Sequence, residues 1–221
     1  GPGTIGSLAW LSRNEHRLPR LCAGLTIGLL GDAGPLRYKR SRRGDTVTDR
    51  VAAHVLGREP FAARLTDFEP YGYDERQFCS PGFDLPVGRI TRSPNGTYPE
   101  YHTSADDLSL VRPDKLAESI RAVATTISVL DANRKVLNLS PKGEPRLGKR
   151  GLYGSVGGAG PGEFEHALLW VLSLADGAHD LLAIAERSGM PFELLDRAAS
   201  ALEKADLVRT IDEVPPFPLV A

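Results

Sequence analysis

Residues 140–163 of this chain cannot sustain a regular element. Glycine or proline recurs from Pro141 to Gly162 and closes in the run Gly157, Gly158, Gly160, Pro161, Gly162. Proline lacks the N–H that a helix or a central strand needs, and glycine gives up the most backbone freedom on ordering. The stretch is a linker by composition, with Leu152-Tyr153 as an apolar pair that could dock on a surface. It divides the chain into residues 1–139, a linker at 140–162, and residues 163–221.

The first part alternates strand and helix patterns. Ile5, Leu8, Ala9 and Leu11 recur at helical spacing behind Thr4, a candidate N-cap, and Asn14 and Pro19 end the run. Leu25, Ile27, Leu29 and Leu30 run into Gly31-Asp32, which predicts a buried strand and a turn. Leu36 to Lys39 forms a short strand. Thr46 to Leu56 reads as a helix with Val47, Val51, His54 and Val55 on one stripe, so His54 is a packing residue. Arg64 to Phe68 is the next strand. Pro113 opens a helix whose apolar stripe is Leu116, Ile120, Val123, Ile127 and Leu130, ending at Asn133. Such alternation predicts an α/β domain with helices packed on a sheet. The basic run Arg37, Lys39, Arg40, Arg42, Arg43 is a solvated loop or an anchor for phosphate or carboxylate.

Between these elements, Tyr71 to Leu108 holds the densest chemistry. Gly72, Pro81, Gly82, Pro86, Pro94, Gly96 and Pro99 punctuate it, which predicts loop over most of its length. It carries the acid pair Asp74-Glu75, and His102 flanked by Glu100, Asp106 and Asp107. Asp74 follows a Tyr-Gly-Tyr turn after a strand, where an α/β sheet presents ligands at its carboxyl end. A hydrolytic zinc ion takes about three such ligands and keeps a position open for water. Asp106 or Asp107 could fix the tautomer of His102. Spacing alone leaves metal binding open, since one Asp and one His far apart in a loop also occur by accident.

The blocks YGYDERQFCSPGF and YPEYHTSADDL resemble the aminopeptidase-like zinc peptidases of bacteria, relatives of the bacterial leucyl aminopeptidases. The resemblance runs from PGTIGSLAWL through GLLGD and YKRSRRGDTVTDR to LNLSPKGEPRLGKRGLY. It extends to ALLWVLSLADGAHDLLAIAERSGMPFELL, which is similar to that family's C-terminal winged-helix module. It implies a zinc-aminopeptidase-like sheet with flanking helices, covered only in its C-terminal part, and then a small winged-helix domain. It implies that Asp74 binds one zinc and His102 the other, with Asp106 and Tyr101 supporting them. Tyr73 before Asp74 and Glu75 after it depart from the Ser-Asp-His-like pattern, which leaves Glu75 open as a catalytic candidate. The family's first zinc-binding His, its bridging Asp and its general-base Glu are expected upstream of Gly1; Gly1-Pro2-Gly3-Thr4 contains no acid. The implied reaction is cleavage of a peptide or aminoacyl amide bond by metal-activated water. The rivals are a degenerate peptidase fold that serves as a scaffold and a winged-helix regulator.

Bulk properties limit the partners. A net charge of -1, with 25% charged and 41% hydrophobic residues, provides no basic field for nucleic acid. No apolar run approaches the roughly 20 residues of a membrane span, and no signal peptide is visible. Cys22 and Cys79 do not make a disulfide framework, and the expectation is a cytoplasmic protein with Cys79 reduced. Homo-oligomerisation stays open. The chain begins Gly-Pro-Gly, and Met190 is its only methionine, which fits a tag scar, a processed product or an internal fragment alike.

The tail reads as three helices and a strand. Phe164 to Leu174 is stopped by Asp176-Gly177, Asp180 caps a helix ended by Gly189, Pro191 opens the third, and Leu207 to Ile211 is extended. This is a winged-helix order. Phe192 and Trp170 are candidate anchors, and both fit the core equally well. On the third helix Glu193, Asp196, Glu203 and Asp206 outweigh Arg197 and Lys204, the wrong sign for phosphate contact. A fluorescence-anisotropy titration with duplex DNA at low salt is expected to show no saturable binding at micromolar protein; salt-dependent micromolar affinity would put the regulator reading first.

Overall fold

The computed structural model of the chain describes residues 2–152 and 162–211. Most of the linker's glycine run, with Tyr153, and the last ten residues of the 163–221 unit lie outside the described residues. The chain divides into two compact units, Gly1–Leu130 and Asp131–Ala221.

The first unit is built on a four-stranded mixed sheet. Its strands are β1 (Gly24–Ile27), β2 (Arg37–Lys39), β3 (Arg64–Thr66) and β4 (Val87–Thr91), in the order β1-β4-β2-β3. β1 runs parallel to β4, with Gly24 opposite Val87, and β2 parallel to β3. β2 and β4 are antiparallel, with Tyr38 opposite Ile90. The helices are α1 (Ile5–Arg13), α2 (Val47–Leu56), α3 (Glu75–Phe78) and α4 (Pro113–Ala132).

The central strand β4 is buried at all five positions. It lies inside the stretch whose glycines and prolines predict loop over most of its length, a pattern that does not single it out. Its sequence, Val-Gly-Arg-Ile-Thr, hides it because two of its residues are determined by neighbours distant in sequence. A Cβ on Gly88 would lie 2.0 Å from the Tyr38 hydroxyl, so the Tyr38 phenol fills the space that a side chain would take. Arg89 is buried because a carboxylate of α3 lies near it. β1, expected to be fully buried, sits at the sheet edge and leaves Ile27 45% exposed.

α2 starts as its sequence predicts. Thr46 is the N-cap and Asp49 closes a capping box, each side chain taking the other's backbone N–H. Asp49 is also the hub of the buried β2–α2 junction. It accepts hydrogen bonds from Tyr38 Oη (2.8 Å), Ser41 N (2.7 Å), Ser41 Oγ (2.5 Å) and Thr46 Oγ1 (2.7 Å). Burial alone would raise the Asp49 carboxyl, but these donors from Ser41, Thr46 and Tyr38 outweigh it and hold it below the usual carboxylate value. The same burial, with Asp49 beside it, pushes the Tyr38 phenol far up and keeps it a neutral donor.

α1 begins at the expected place, but not by the expected device. Thr4 makes no side-chain cap; instead its backbone N–H donates to Asp74 Oδ1 at 2.5 Å. Leu11 on α1 joins Cys79, Leu85 and Val87 in a core that Phe78 and Phe83 extend. Burial raises the free Cys79 thiol.

The packing face of α4 is also corrected. The apolar stripe predicts burial of Leu116, Ile120 and Ile127, yet these are exposed, while Ser119, Ala122, Thr126 and Val129 are buried. The physical reason is Arg92, 1% exposed at the end of β4. Its Nε donates to Ser119 Oγ (3.0 Å) and Leu30 O (3.2 Å), and Nη1 donates to Gly34 O (2.6 Å). Nη2 donates to Lys115 O and Glu118 Oε2, both at 3.0 Å. A buried guanidinium must be satisfied, and the face that can satisfy it is the one carrying Ser119 and Glu118.

The second unit is a winged-helix domain. β5 (Lys135–Asn138), β6 (Asp176–Asp180) and β7 (Val208–Ile211) form an antiparallel sheet in the order β6-β5-β7. It packs with α5 (Glu163–Leu174), α6 (Leu181–Ser188) and α7 (Phe192–Lys204). β5 pairs with both other strands, so the unit begins ahead of the linker and not after it. Asp176-Gly177, read as a stop, opens β6; Asp180 caps α6 as expected, accepting from Ala183 N at 2.7 Å. Phe192 is in the core and Trp170 is half-buried.

Replacing Asp49 with Ala leaves several buried donors without an acceptor, each costing about 1–3 kcal/mol, so a loss of about 3 kcal/mol or more is expected in chemical denaturation. Since the folded carboxyl is held below its unfolded value near 3.9, its contribution is present above about pH 4 and is lost as pH falls through the folded value. Stability measured down a pH series should therefore fall more steeply in the parent than in the Ala variant.

Candidate functional site

The turn Tyr71–Asp74 is held from below by buried charge. Glu75, the first residue of α3, is fully buried, and its Oε1 lies 2.6 Å from Lys39 Nζ on β2 and 3.8 Å from Arg89 Nη1 on β4. The Tyr73 backbone N–H donates to the same carboxylate, at 3.1 Å to Oε2. Lys39 Nζ also donates to Tyr71 O at 2.7 Å and Glu69 O at 3.2 Å. One ion cluster thus joins two strands, a helix and the turn. Gly72 is required by this approach, because a Cβ there would stand 1.9 Å from Glu75 Oε1. Glu75 is therefore not a free acid-base group; its oxygens are enclosed and occupied.

Asp74, one residue earlier, is half-buried at the N-terminal boundary of α3. Its Oδ1 receives the Thr4 N–H, which ties the start of α1 to the turn. It lines a cavity of about 520 Å³ with Ser7 and Trp10 of α1, Thr26 of β1 and Phe78. Gly3 adjoins this place, and the Tyr73 hydroxyl lies 2.0 Å from where a Cβ on Gly3 would stand. A carboxylate so placed can accept hydrogen bonds or contribute one ligand to a cation.

His102 ends an aromatic ladder. Its ring stacks on Tyr101 with centroids 4.0 Å apart and planes 14° from parallel. Tyr98 meets Tyr101 edge-on at 5.5 Å. Tyr101 Oη accepts from Asn95 Nδ2 at 3.1 Å. His102 is exposed, with φ of 58°, a left-handed conformation in which His is over-represented among non-glycine residues. Asp106, expected beside the imidazole, instead accepts from Tyr98 Oη at 3.2 Å, and Asp107 accepts from Ser109 N at 2.8 Å. Burial, and then the Asp106 charge, raises the Tyr98 phenol.

Tyr101 is therefore in contact with His102, and Asp106 supports the ladder through Tyr98. Among the described residues no group of three or more His, Cys, Asp or Glu side chains is placed to hold a metal ion. The chemistry of Asp74 and His102 suits two positions of a zinc site, and the described residues do not complete a set of three. Sequence reasoning missed the buried cations: Lys39 was read as part of a basic run, and Arg89 was passed over. An Arg between Gly88 and Ile90 in a short run of strand formers is the signal that could have found the latter.

A family model described as "Domain of unknown function (DUF4910)" matches residues 1–133, and one described as "winged helix-turn-helix" matches residues 134–210. The chain is 46% identical over 214 residues to a Clostridium acetobutylicum protein named "Putative polysaccharide biosynthesis protein with aminopeptidase-like domain". That match covers 95% of this chain and 48% of the relative. A crystal structure of a "putative peptidase" from Clostridium acetobutylicum superposes with a TM-score of 0.85 at 43% identity, covering 96% of this chain and 47% of that one. The chain thus spans about half the length of these relatives.

The ion cluster generates its own test. Glu75→Gln leaves Lys39 buried without its counter-charge, and a loss of about 3–5 kcal/mol in denaturant titration is expected. Gly72→Ala should destabilise in the same direction, by about 1–3 kcal/mol, through the clash with Glu75.

Proposed function

On the premise that this chain belongs to the DUF4910 domain family, we propose that it is part of an aminopeptidase-like zinc hydrolase acting on peptide or aminoacyl amide bonds. The observation that carries the reading is the 46% identity, over nearly the whole chain, to a relative named for an aminopeptidase-like domain. The 0.85 superposition on a structure described as a peptidase supports it. Asp74 and His102 are the two donors this chain would offer; the remaining donors and a general-base carboxylate would come from the part of the protein that the relatives have and this chain does not span. Zinc bound there would supply a polarised scissile carbonyl and a water of lowered pKa.

The chain's own residues do the positioning. The buried Lys39–Glu75–Arg89 cluster holds the Tyr71–Asp74 turn, and the Thr4 N–H fixes the Asp74 carboxylate. Tyr101 holds the His102 ring by stacking, and Asn95 holds Tyr101. Trp10 and Phe78 line an apolar wall beside Asp74 that suits a substrate side chain. A binding or scaffolding role without catalysis is the second reading, with the winged-helix domain as its partner-docking part.

In a protein extended to the full length of the relatives, Asp74→Ala and His102→Ala should each lower hydrolysis of aminoacyl anilides by at least about 100-fold and reduce bound zinc measured by elemental analysis. The 221-residue chain alone should bind zinc weakly and turn over little. Chelator-sensitive turnover by that chain alone, or full-length activity indifferent to both substitutions, would overturn the ligand assignment.

A further inference from the structure

A second cavity, of about 280 Å³, opens on the other side of the Gly72 turn and has no role in the reading above. Arg37 and Lys39 of β2, Arg89 and Thr91 of β4, and Asn95 line it. On four of these lining residues a side-chain atom is buried without a hydrogen-bond partner among the described residues: Arg37 Nε, Arg89 Nε, Thr91 Oγ1 and Asn95 Oδ1. Arg89 and Thr91 are each 4% exposed, and Asn95 9%. Buried polar groups are nearly always satisfied, so four unpaired atoms on the residues of one cavity point to a ligand there.

The orphans state what the ligand offers. Two guanidinium N–H donors and a hydroxyl call for an oxyanion, and the amide oxygen of Asn95 calls for a donor. With Asn95 Nδ2 on the Tyr101 hydroxyl, the amide oxygen is the unpaired atom. The charge balance agrees. Three cationic side chains line the cavity, and the one buried carboxylate near them, Glu75, pairs with Lys39 and Arg89 only, while Asp67 of the lining is exposed and 3.6 Å from Arg40. Glu69, also at the rim, is exposed and gives only its backbone carbonyl, to Lys39. The volume is near the lower end of small-molecule sites.

We propose that this cavity binds a small organic carboxylate that also carries a hydroxyl or amine donor. The carboxylate lies on Arg37, Arg89 and Thr91, and the donor reaches Asn95. The site stands on its own geometry and does not depend on hydrolysis.

The test is isothermal titration calorimetry of the 221-residue chain with glycolate, acetate, glycolamide, inorganic phosphate and chloride. Glycolate should bind, acetate several-fold more weakly because it offers nothing to Asn95, and glycolamide not at all. Arg37 is half-buried and makes no ion pair among the described residues, so Arg37→Met should fold normally and weaken glycolate at least about tenfold. Thr91→Val, close in shape, should weaken it several-fold with an unchanged melting temperature. Phosphate binding more tightly than glycolate would identify a phosphate ligand and overturn the carboxylate assignment. Equal weak binding of every anion, or glycolate binding unaffected by Arg37→Met, would overturn the site.

Discussion

The first unit depends on a buried carboxylate. Glu75 is the one group that brings Lys39 of β2 and Arg89 of β4 to a common point, and it also caps the turn through Tyr73. Taking these charges out of water is costly; their mutual attraction offsets it, together with the hydrogen bonds that Lys39 gives to Tyr71 O and Glu69 O and that Glu75 takes from the Tyr73 N–H. Without Glu75, the central strand would carry an uncompensated arginine through the middle of the sheet. The turn that presents Asp74 would also lose its anchor. Geometry at the candidate site is therefore held by buried charge beneath the turn, beside the apolar core of Leu11, Phe78 and Cys79.

The same arrangement recurs at three places in this unit. Asp49 gathers donors from β2 and the start of α2, Glu75 gathers two cations, and Arg92 gathers acceptors from β1's following turn and from α4. Each is a polar residue fully or almost fully buried; Glu75 and Arg92 join segments far apart in sequence, and Asp49 closes the junction between neighbouring elements. Directional bonds of this kind specify which segments meet and in what register, which an apolar interface of similar area does less sharply. The second unit is different. Its core is Leu168, Leu181, Ile184, Leu195 and Leu202 with little buried charge, as the apolar spacing of its helices predicts.

This contrast explains which elements were legible. The three tail helices, α2 with its Thr46–Asp49 box, and the start of α4 at Pro113 follow from local rules: caps, periodicity and the missing proline N–H. β4 was illegible because Gly88 and Arg89 argue against a strand until Tyr38 and Glu75 are placed beside them. The buried face of α4 was misread because its apolar stripe is real, while Arg92 selects the neighbouring polar face. At the site, Asp74 and His102 stand out as residue types, while the bond between Tyr98 and Asp106 depends on packing that spacing does not show.

By itself the sequence determined the α/β character of the first part, the winged-helix order of the second, and the acidity of its third helix. All of these are sums over near neighbours. Only the tertiary structure decided that Glu75 is a buried anchor, that Asp74 is held by the backbone of Thr4, and that Arg37, Arg89, Thr91 and Asn95 face one cavity. Those outcomes depend on where water is excluded. A charged side chain has the same formula in solvent and in a core, and only the packing around it settles which it occupies.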